Sequence, residues 1–242
     1  MNPLERVFGK HKSQGRVVET GPVTPTMRRI VVAASLEGFA PGRHVRIEIN
    51  DPLSLRGIVR PADTLRTYSV WDFGDGAFEI RAHLYDGDGI GLRWVNGVRA
   101  GDAVTFWGPL GDFDIRPDAA FHLFVGEETA SAAFGPMLRA LDPETRVVGV
   151  LESGSADDEV PVPRSDGLRR VHRDGGPAVS SPALLAAVGE LDLPAGAGAA
   201  YVAGEARTCQ AVRDHLVRER GWDRRNVRVK PFWTPGKRGL HH

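Results

Sequence analysis

The hydrophobic rhythm of the chain changes once, close to Pro117, and that change constrains the fold more than any other feature. Before it, from about Gly15 to Ile115, six runs read as short strands: "RVVET", "MRRIVVAA", "HVRIEIN", "LRTYSVWDF", "AFEIRAHLY" and "AVTFWGPLG". Turn chemistry at Gly74 to Gly76 and at Asp86 to Gly89 separates some of them. Several strands at this spacing predict a small antiparallel barrel. One helical piece interrupts them, from Gly91 to Gly101. After Pro117, strands and helices alternate. "FHLFVG" is a strand and Thr129 to Leu141 a helix; "RVVGVLES" and "GLRRVHR" follow, then a helix from Ser180 to Leu191. Ala199 to Glu205 is a strand, "RTCQAVRDHLVRERG" a helix, and "VRVKPFW" closes the set. Gly154 to Ser165 reads as a polar loop. Such alternation predicts a parallel sheet with helices on its faces. The expectation is therefore an α+β two-domain chain. Residues 1–14 form a polar N-terminal segment, 15–117 an antiparallel barrel, and 118–242 an α/β domain with a parallel sheet.

Composition narrows the function. At 242 residues, with 41% hydrophobic and 26% charged residues, the chain has the make-up of a globular protein. A formal net charge of +0 argues against general nucleic-acid binding. The single cysteine, Cys209, excludes an internal disulfide and a Cys-cluster metal site, which fits a reducing compartment. No apolar run approaches the ~18 residues of a membrane span. The polar start "MNPLERVFGKHKSQGR" is no signal peptide. The expectation is a cytoplasmic protein with no integral membrane segment. Neutrality hides an asymmetry: Ala206 to His242 carries ten Lys/Arg against Asp214, Glu219 and Asp223. That surplus can focus anions or simply line the solvated face of a helix.

Within the barrel half, "LRTYSVW" (Leu65 to Trp71) breaks the apolar–polar alternation of a half-buried strand. It sets a cation, two hydroxyls and a phenol side by side within about 13 Å, at ~3.3 Å per residue. These are the groups that grip a flat ring carrying a phosphate. The bland reading is an edge strand whose Tyr packs on neighbours and whose Arg pairs with an acid. A second candidate is "HLYDGDGIGLRW" (His83 to Trp94), a Gly-rich turn running into a helix, which offers backbone N–H groups and a positive helix end to a phosphate. Gly89 and Gly91 leave room for close approach. Trp94 reads as core packing, and a lone His83 as a structural hydrogen bonder. A third is "VGEETA" (Val125 to Ala130), a strand end opening a helix, where open α/β sheets gather ligands. Thr129 there reads equally as a helix N-cap. No G-x-G-x-x-G fingerprint is present.

The order and spacing of "PTMRRIVV", "RTYS", "GIGLRW", "GEETA", "YVAGEA" and "PFWTPG" resemble those of the siderophore-interacting protein family. These are FAD-dependent ferric-siderophore reductases among the ferredoxin-reductase-like flavoproteins. The resemblance covers nearly the whole chain. It implies an FAD-binding barrel followed by an NAD(P)-binding-like domain. It implies that Arg66 holds the FAD pyrophosphate, that Tyr68 lies against the isoalloxazine, and that Ser69 bonds near N5, making Tyr68 and Ser69 the catalytic candidates. Thr67, His83, Leu84, Gly89, Gly91, Leu92, Thr129, Ala130 and Trp233 complete the implied cofactor set. Glu128, Gly204, Glu205 and Ala206 take the NAD(P) side, although acids there are poor phosphate partners and pyridine-nucleotide binding is expected to be weak or shared with other segments. Lys230, Lys237 and Arg238 take an anionic ferric siderophore.

The chain departs from the family pattern at Trp71 and Thr234, where arginines are expected, so that a positive charge leaves the flavin's neighbourhood. The implied function is reduction of ferric siderophores, with electrons from NADH, NADPH or a ferredoxin and no protein-bound metal. The alternatives are a flavin reductase with another acceptor, and a flavin- or siderophore-binding protein without turnover.

Overall fold

The computed structural model describes residues 12–50 and 64–236. It divides into two compact units, Met1–Asp112 and Phe113–His242. The sequence reading joins the two halves after Pro117. Phe113 already belongs to the second unit because its ring packs on Phe134 and edge-on to Tyr201, at centroid distances of 6.4 and 5.8 Å.

The first unit is a closed antiparallel barrel. Its strands are β1 (Lys12–Thr24), β2 (Met27–Ala33), β3 (His44–Glu48), β4 (Leu65–Gly74), β5 (Ala77–His83) and β6 (Ala103–Leu110). They close in the order β1-β2-β5-β4-β3-β6. Strand β1 is longer than "RVVET" suggests. Lys12 to Arg16 pairs with β6 while Arg16 to Thr24 pairs with β2, and this double pairing closes the barrel. Residues 12–14 of the expected polar segment are therefore strand. Alternation drives the burial: Phe78, Ile80 and Ala82 on β5, Val45 and Ile47 on β3, and Ile30 and Val32 on β2 all point inward. Fully burying a large side chain contributes about 1.5–3 kcal/mol. Phe78 and Phe106 meet edge-to-face at 4.9 Å in the middle.

Among the described residues of this unit, the helix α1 spans Ile90–Gly97 rather than reaching Gly101. It stops because Val98 turns extended and drops into the barrel core beside Val95. The Gly101 N–H then donates to the Val17 carbonyl at 2.8 Å. α1 thus packs against the barrel core with Val95 on its inner face.

The second unit is a five-stranded parallel sheet of β7 (Phe121–Gly126), β8 (Arg146–Ser153), β9 (Leu168–His172), β10 (Gly198–Glu205) and β11 (Val227–Trp233). The order is β11-β10-β7-β8-β9. Strands β7 and β10 are buried along their whole length, as expected where helices cover both faces. Three α-helices pack on the sheet: α2 (Glu128–Ala140), α3 (Pro182–Gly189) and α4 (Ala206–Asp214).

The last predicted helix is not uniform: α4 gives way to a wider π turn at His215–Glu219. Arg220 then anchors the chain by donating to the carbonyls of Gly189 and Leu191 at 2.6 and 3.0 Å. The expected polar loop after Gly154 also buries Val160 and Val162. Among the described residues, no helix is long and apolar enough to cross a membrane.

Candidate functional site

In the first unit, β4, the end of β5 and the start of α1 surround a groove of about 110 Å³. Arg66, Thr67, Tyr68, His83, Gly91 and Leu92 all line it, residues drawn from separate parts of the sequence. Strand period explains part of this: Arg66 and Tyr68 share a face of β4 with core residue Val70. Gly91 explains the rest. A Cβ there would lie 3.0 Å from Arg66 Cγ and 3.2 Å from Tyr68 Oη, so glycine lets both side chains approach the first turn of α1 without being pushed back by a few tenths of an ångström.

Burial raises the Tyr68 phenol well above its ordinary value, so the hydroxyl stays protonated. Its ring is backed by Trp94, 5.6 Å away centre to centre. Trp94 packs against the barrel core as read from the sequence, and it also braces Tyr68. Arg66 turns one guanidinium nitrogen to the Leu65 carbonyl at 2.7 Å.

Three expected residues flank the groove instead of lining it. Ser69 stands opposite His44 in the β3–β4 pairing. Leu84 packs on the core and donates its N–H to Thr26. Gly89 is the N-cap of α1 and, having no side chain, offers no cap to its N–H groups.

Two lining residues escape the sequence reading, Val95 and Tyr85. Tyr85 is 51% exposed, yet its hydroxyl lies 2.5 Å from where a Gly89 Cβ would be. An exposed aromatic next to a Gly-rich turn was the available signal.

At the other departure, Trp71 is buried within an irregular step of β4, between Val70 and Asp72. The Arg81 guanidinium sits 3.3 Å from its ring centroid. Arg81 of β5 thus stands where an arginine was expected on β4, but its charge is paired with Glu79 at 2.9 Å.

In the second unit, β7 and β10 end side by side where the strand order reverses, the usual ligand position of an open α/β sheet. Thr129, Ala130, Gly204, Glu205, Ala206 and Trp233 converge here. The capping assignment is corrected: Glu127, not Thr129, is the N-cap of α2, and its carboxylate accepts the Thr129 N–H at 2.8 Å. It also accepts the Trp233 indole N–H at 2.9 Å. Burial, then the neighbouring charge of Glu128, pushes its carboxyl up to about 7 despite those bonds.

Glu205 caps α4 in the same way, accepting the Thr208 N–H at 2.9 Å and the Ser180 N–H at 3.3 Å. Burial opposes its ionisation. The backbone donors outweigh burial, and its carboxyl sits below the ordinary range. Glu128 faces inward, to Arg173 at 2.9 Å and the Gly154 N–H at 2.7 Å. Lys230 lies on β11 beside Ala203; Lys237 and Arg238 fall outside the described residues. Among the described residues, no group of three or more His, Cys, Asp or Glu is placed to hold a metal.

A closed antiparallel barrel followed by a parallel sheet is the ferredoxin-reductase-like architecture. The flavohem-like FAD/NAD-binding domain of nitric oxide dioxygenase from Vibrio cholerae superposes with a TM-score of 0.72 at 18% identity, over 93% of this chain and 100% of that one. A siderophore utilization protein from T. fusca superposes at 0.81 and 24% identity, over 96% of this chain and 95% of its own. Residues 119–236, most of the second unit, match the model of the siderophore-interacting protein family. The ferric vibriobactin reductase ViuB of Vibrio cholerae is 27% identical over 178 residues, 71% of this chain and 65% of ViuB.

Proposed function

We propose that the protein is an FAD-dependent reductase of ferric siderophores, with the flavin held by the first unit. The observation that carries this reading is the groove where Arg66, Tyr68 and the uncapped start of α1 meet around Gly91. That donor set suits the cofactor. A fixed cation and free helix N–H groups suit a pyrophosphate, and a braced phenol ring suits a flat heterocycle. The groove is small, so the cofactor would extend along β4 and α1 rather than sink into the barrel.

Arg66 and the Gly89–Gly91 backbone would hold the phosphates. Tyr68 would hold the ring, with Thr67, His83 and Leu92 around it and Ser69 beside its reactive edge. When bound, the flavin supplies redox chemistry, taking electrons from a donor and passing them singly to ferric iron. The chain's part is to position the ring and set the local charge. Tyr68, protonated at every working pH, adds no negative charge beside it. Reduction of the iron loosens its hold by hard oxygen ligands, so no protein nucleophile is required. Lys230, with Lys237 and Arg238, supplies positive charge for an anionic ferric complex.

The test is to purify the protein and identify any flavin by absorbance and mass. A chemically reduced sample is then mixed with a ferric catecholate siderophore and a ferrous-specific chelator. Bound FAD and a ferrous signal are expected. A colourless protein that takes up no FAD sinks the reading, and bound FMN sinks the pyrophosphate assignment.

A second reading, a flavin reductase with another acceptor, is favoured by one observation. The Arg81 charge beside Trp71 is compensated by Glu79, so this part of the barrel is less positive than the family pattern implies. Unchanged ferric siderophore beside rapid reduction of a quinone would select it.

A further inference from the structure

The pyridine nucleotide expected as donor does not fit the second unit. Where the strand order reverses, a dinucleotide pyrophosphate is ordinarily met by helix N-termini whose N–H groups are free and by glycines that let the backbone approach. Two helices begin there, α2 after β7 and α4 after β10. The chain's own carboxylates occupy both starts. Glu127 takes the Thr129 N–H of α2, and Glu205 takes the Thr208 N–H of α4. Gly204, at φ +118°, has the backbone shape of a phosphate-approach glycine. The space left by its missing side chain is already filled, because Glu127 Oε1 lies 2.5 Å from where a Cβ would be.

Neither carboxylate is loosely held. Trp233 Nε1–H donates to Glu127 at 2.9 Å, and Ser180 N–H donates to Glu205 at 3.3 Å. Neither pairs with a Lys or Arg among the described residues. The guanidinium of Arg173 is turned to Glu128 and Glu152 instead. A pyrophosphate entering here would lose its N–H partners, collide with a fixed side chain and face like charge.

We infer that Glu127 and Glu205 are specificity-determining residues that close both helix N-termini of the second unit to the pyrophosphate of NADH or NADPH. The inference rests on the reductase reading for its meaning and sharpens it. The donor for this chain is a carrier that places no pyrophosphate at the β7–β10 switch. Ionised Glu205 repels the anion at any working pH, whereas Glu127 blocks it by volume even when protonated.

The experiment is calorimetric titration of the full chain with NADPH, and with ADP-ribose as a pyrophosphate probe lacking nicotinamide. The parent is compared with Glu127→Gly and with Glu127→Gly/Glu205→Gly. Glycine is itself an acceptable N-cap, so the helices keep their start. The parent is expected not to saturate at millimolar concentrations of either probe. The variants are expected to bind both at least about tenfold more tightly, the scale of one recovered charged hydrogen bond.

Micromolar saturation of the parent overturns the inference, and so does a folded variant with no gain. If circular dichroism shows the double variant unfolded, the parent and the single variant decide the matter by the same criteria. Flavin absorbance is recorded on the same samples. A colourless parent refutes the reductase reading and leaves the binding comparison intact. A yellow parent that binds NADPH tightly refutes only the inference.

Discussion

Arg173 offers the sharpest test of how the second unit holds its ligand-end architecture. Its guanidinium is 12% exposed and bonds Glu128 at 2.9 Å and Glu152 at 3.1 Å, side chains only 3% and 0% exposed. The remaining carboxylate valences are met by the Gly154 N–H, 2.7 Å from Glu128, and by the Ser181 hydroxyl on Glu152. One cation therefore ties the first residue of α2, the end of β8 and the N-cap of α3 together.

Arg173→Met keeps most of the aliphatic stem but leaves two carboxylates buried without a counter-charge. Breaking a buried pair in this way costs about 3–5 kcal/mol. Against the ~5–15 kcal/mol total of an ordinary domain, that is about a fifth or more of the stability. Melting should fall by roughly 10 °C at this chain size. Urea and thermal unfolding, followed by far-ultraviolet circular dichroism at neutral pH, give the measurement. The triple change Arg173→Met/Glu128→Gln/Glu152→Gln should recover most of the loss, because it removes the stranded charges along with their partner. A loss under about 1 kcal/mol in the single variant, or no recovery in the triple one, would refute the buried-clip reasoning.

The groove and the α2 cap give two further expectations. Arg66→Ala should weaken FAD about 10- to 100-fold, the worth of one or two hydrogen bonds to a charged group, with no change in melting of the flavin-free protein. Fluorescence titration reads the first and a thermal scan the second; unaltered FAD affinity would remove Arg66 from the phosphate site. Glu127 gives a pH signature. Its carboxyl sits at about 7, above the ordinary 4.5, so the native state holds a proton that the unfolded chain releases. The corresponding stability is complete below about pH 4.5 and is lost as pH rises through 7, by up to about 3 kcal/mol. Glu127→Gln should remove that fall between pH 5 and pH 8, and identical urea midpoint shifts in parent and variant would show that Glu127 does not titrate there.

Local pattern is what the sequence by itself determined. Strand alternation and turn glycines marked the six barrel strands, and the strand–helix rhythm marked the parallel sheet, because both depend on residues within a few positions of each other. "RTYS" and the turn at Gly89 to Gly91 were legible for the same reason: period two puts Arg66 and Tyr68 on one face, and glycine before a helix leaves its N–H groups bare. The family resemblance then supplied the ligand these groups imply.

Only the tertiary structure decided which partners those groups meet. The closeness of Arg66 and Tyr68 to Gly91 depends on α1 lying against β4, and the cation beside Trp71 on the pairing of β4 with β5. Glu127 is stapled by Trp233, 106 positions away, and Glu128 by Arg173, 45 positions away. In the sequence, "EET" before a helix offers three possible caps and two possible ligand acids. The choice among them is made by burial and by donors that only folding brings within 3 Å, and it makes Glu127 the cap of α2.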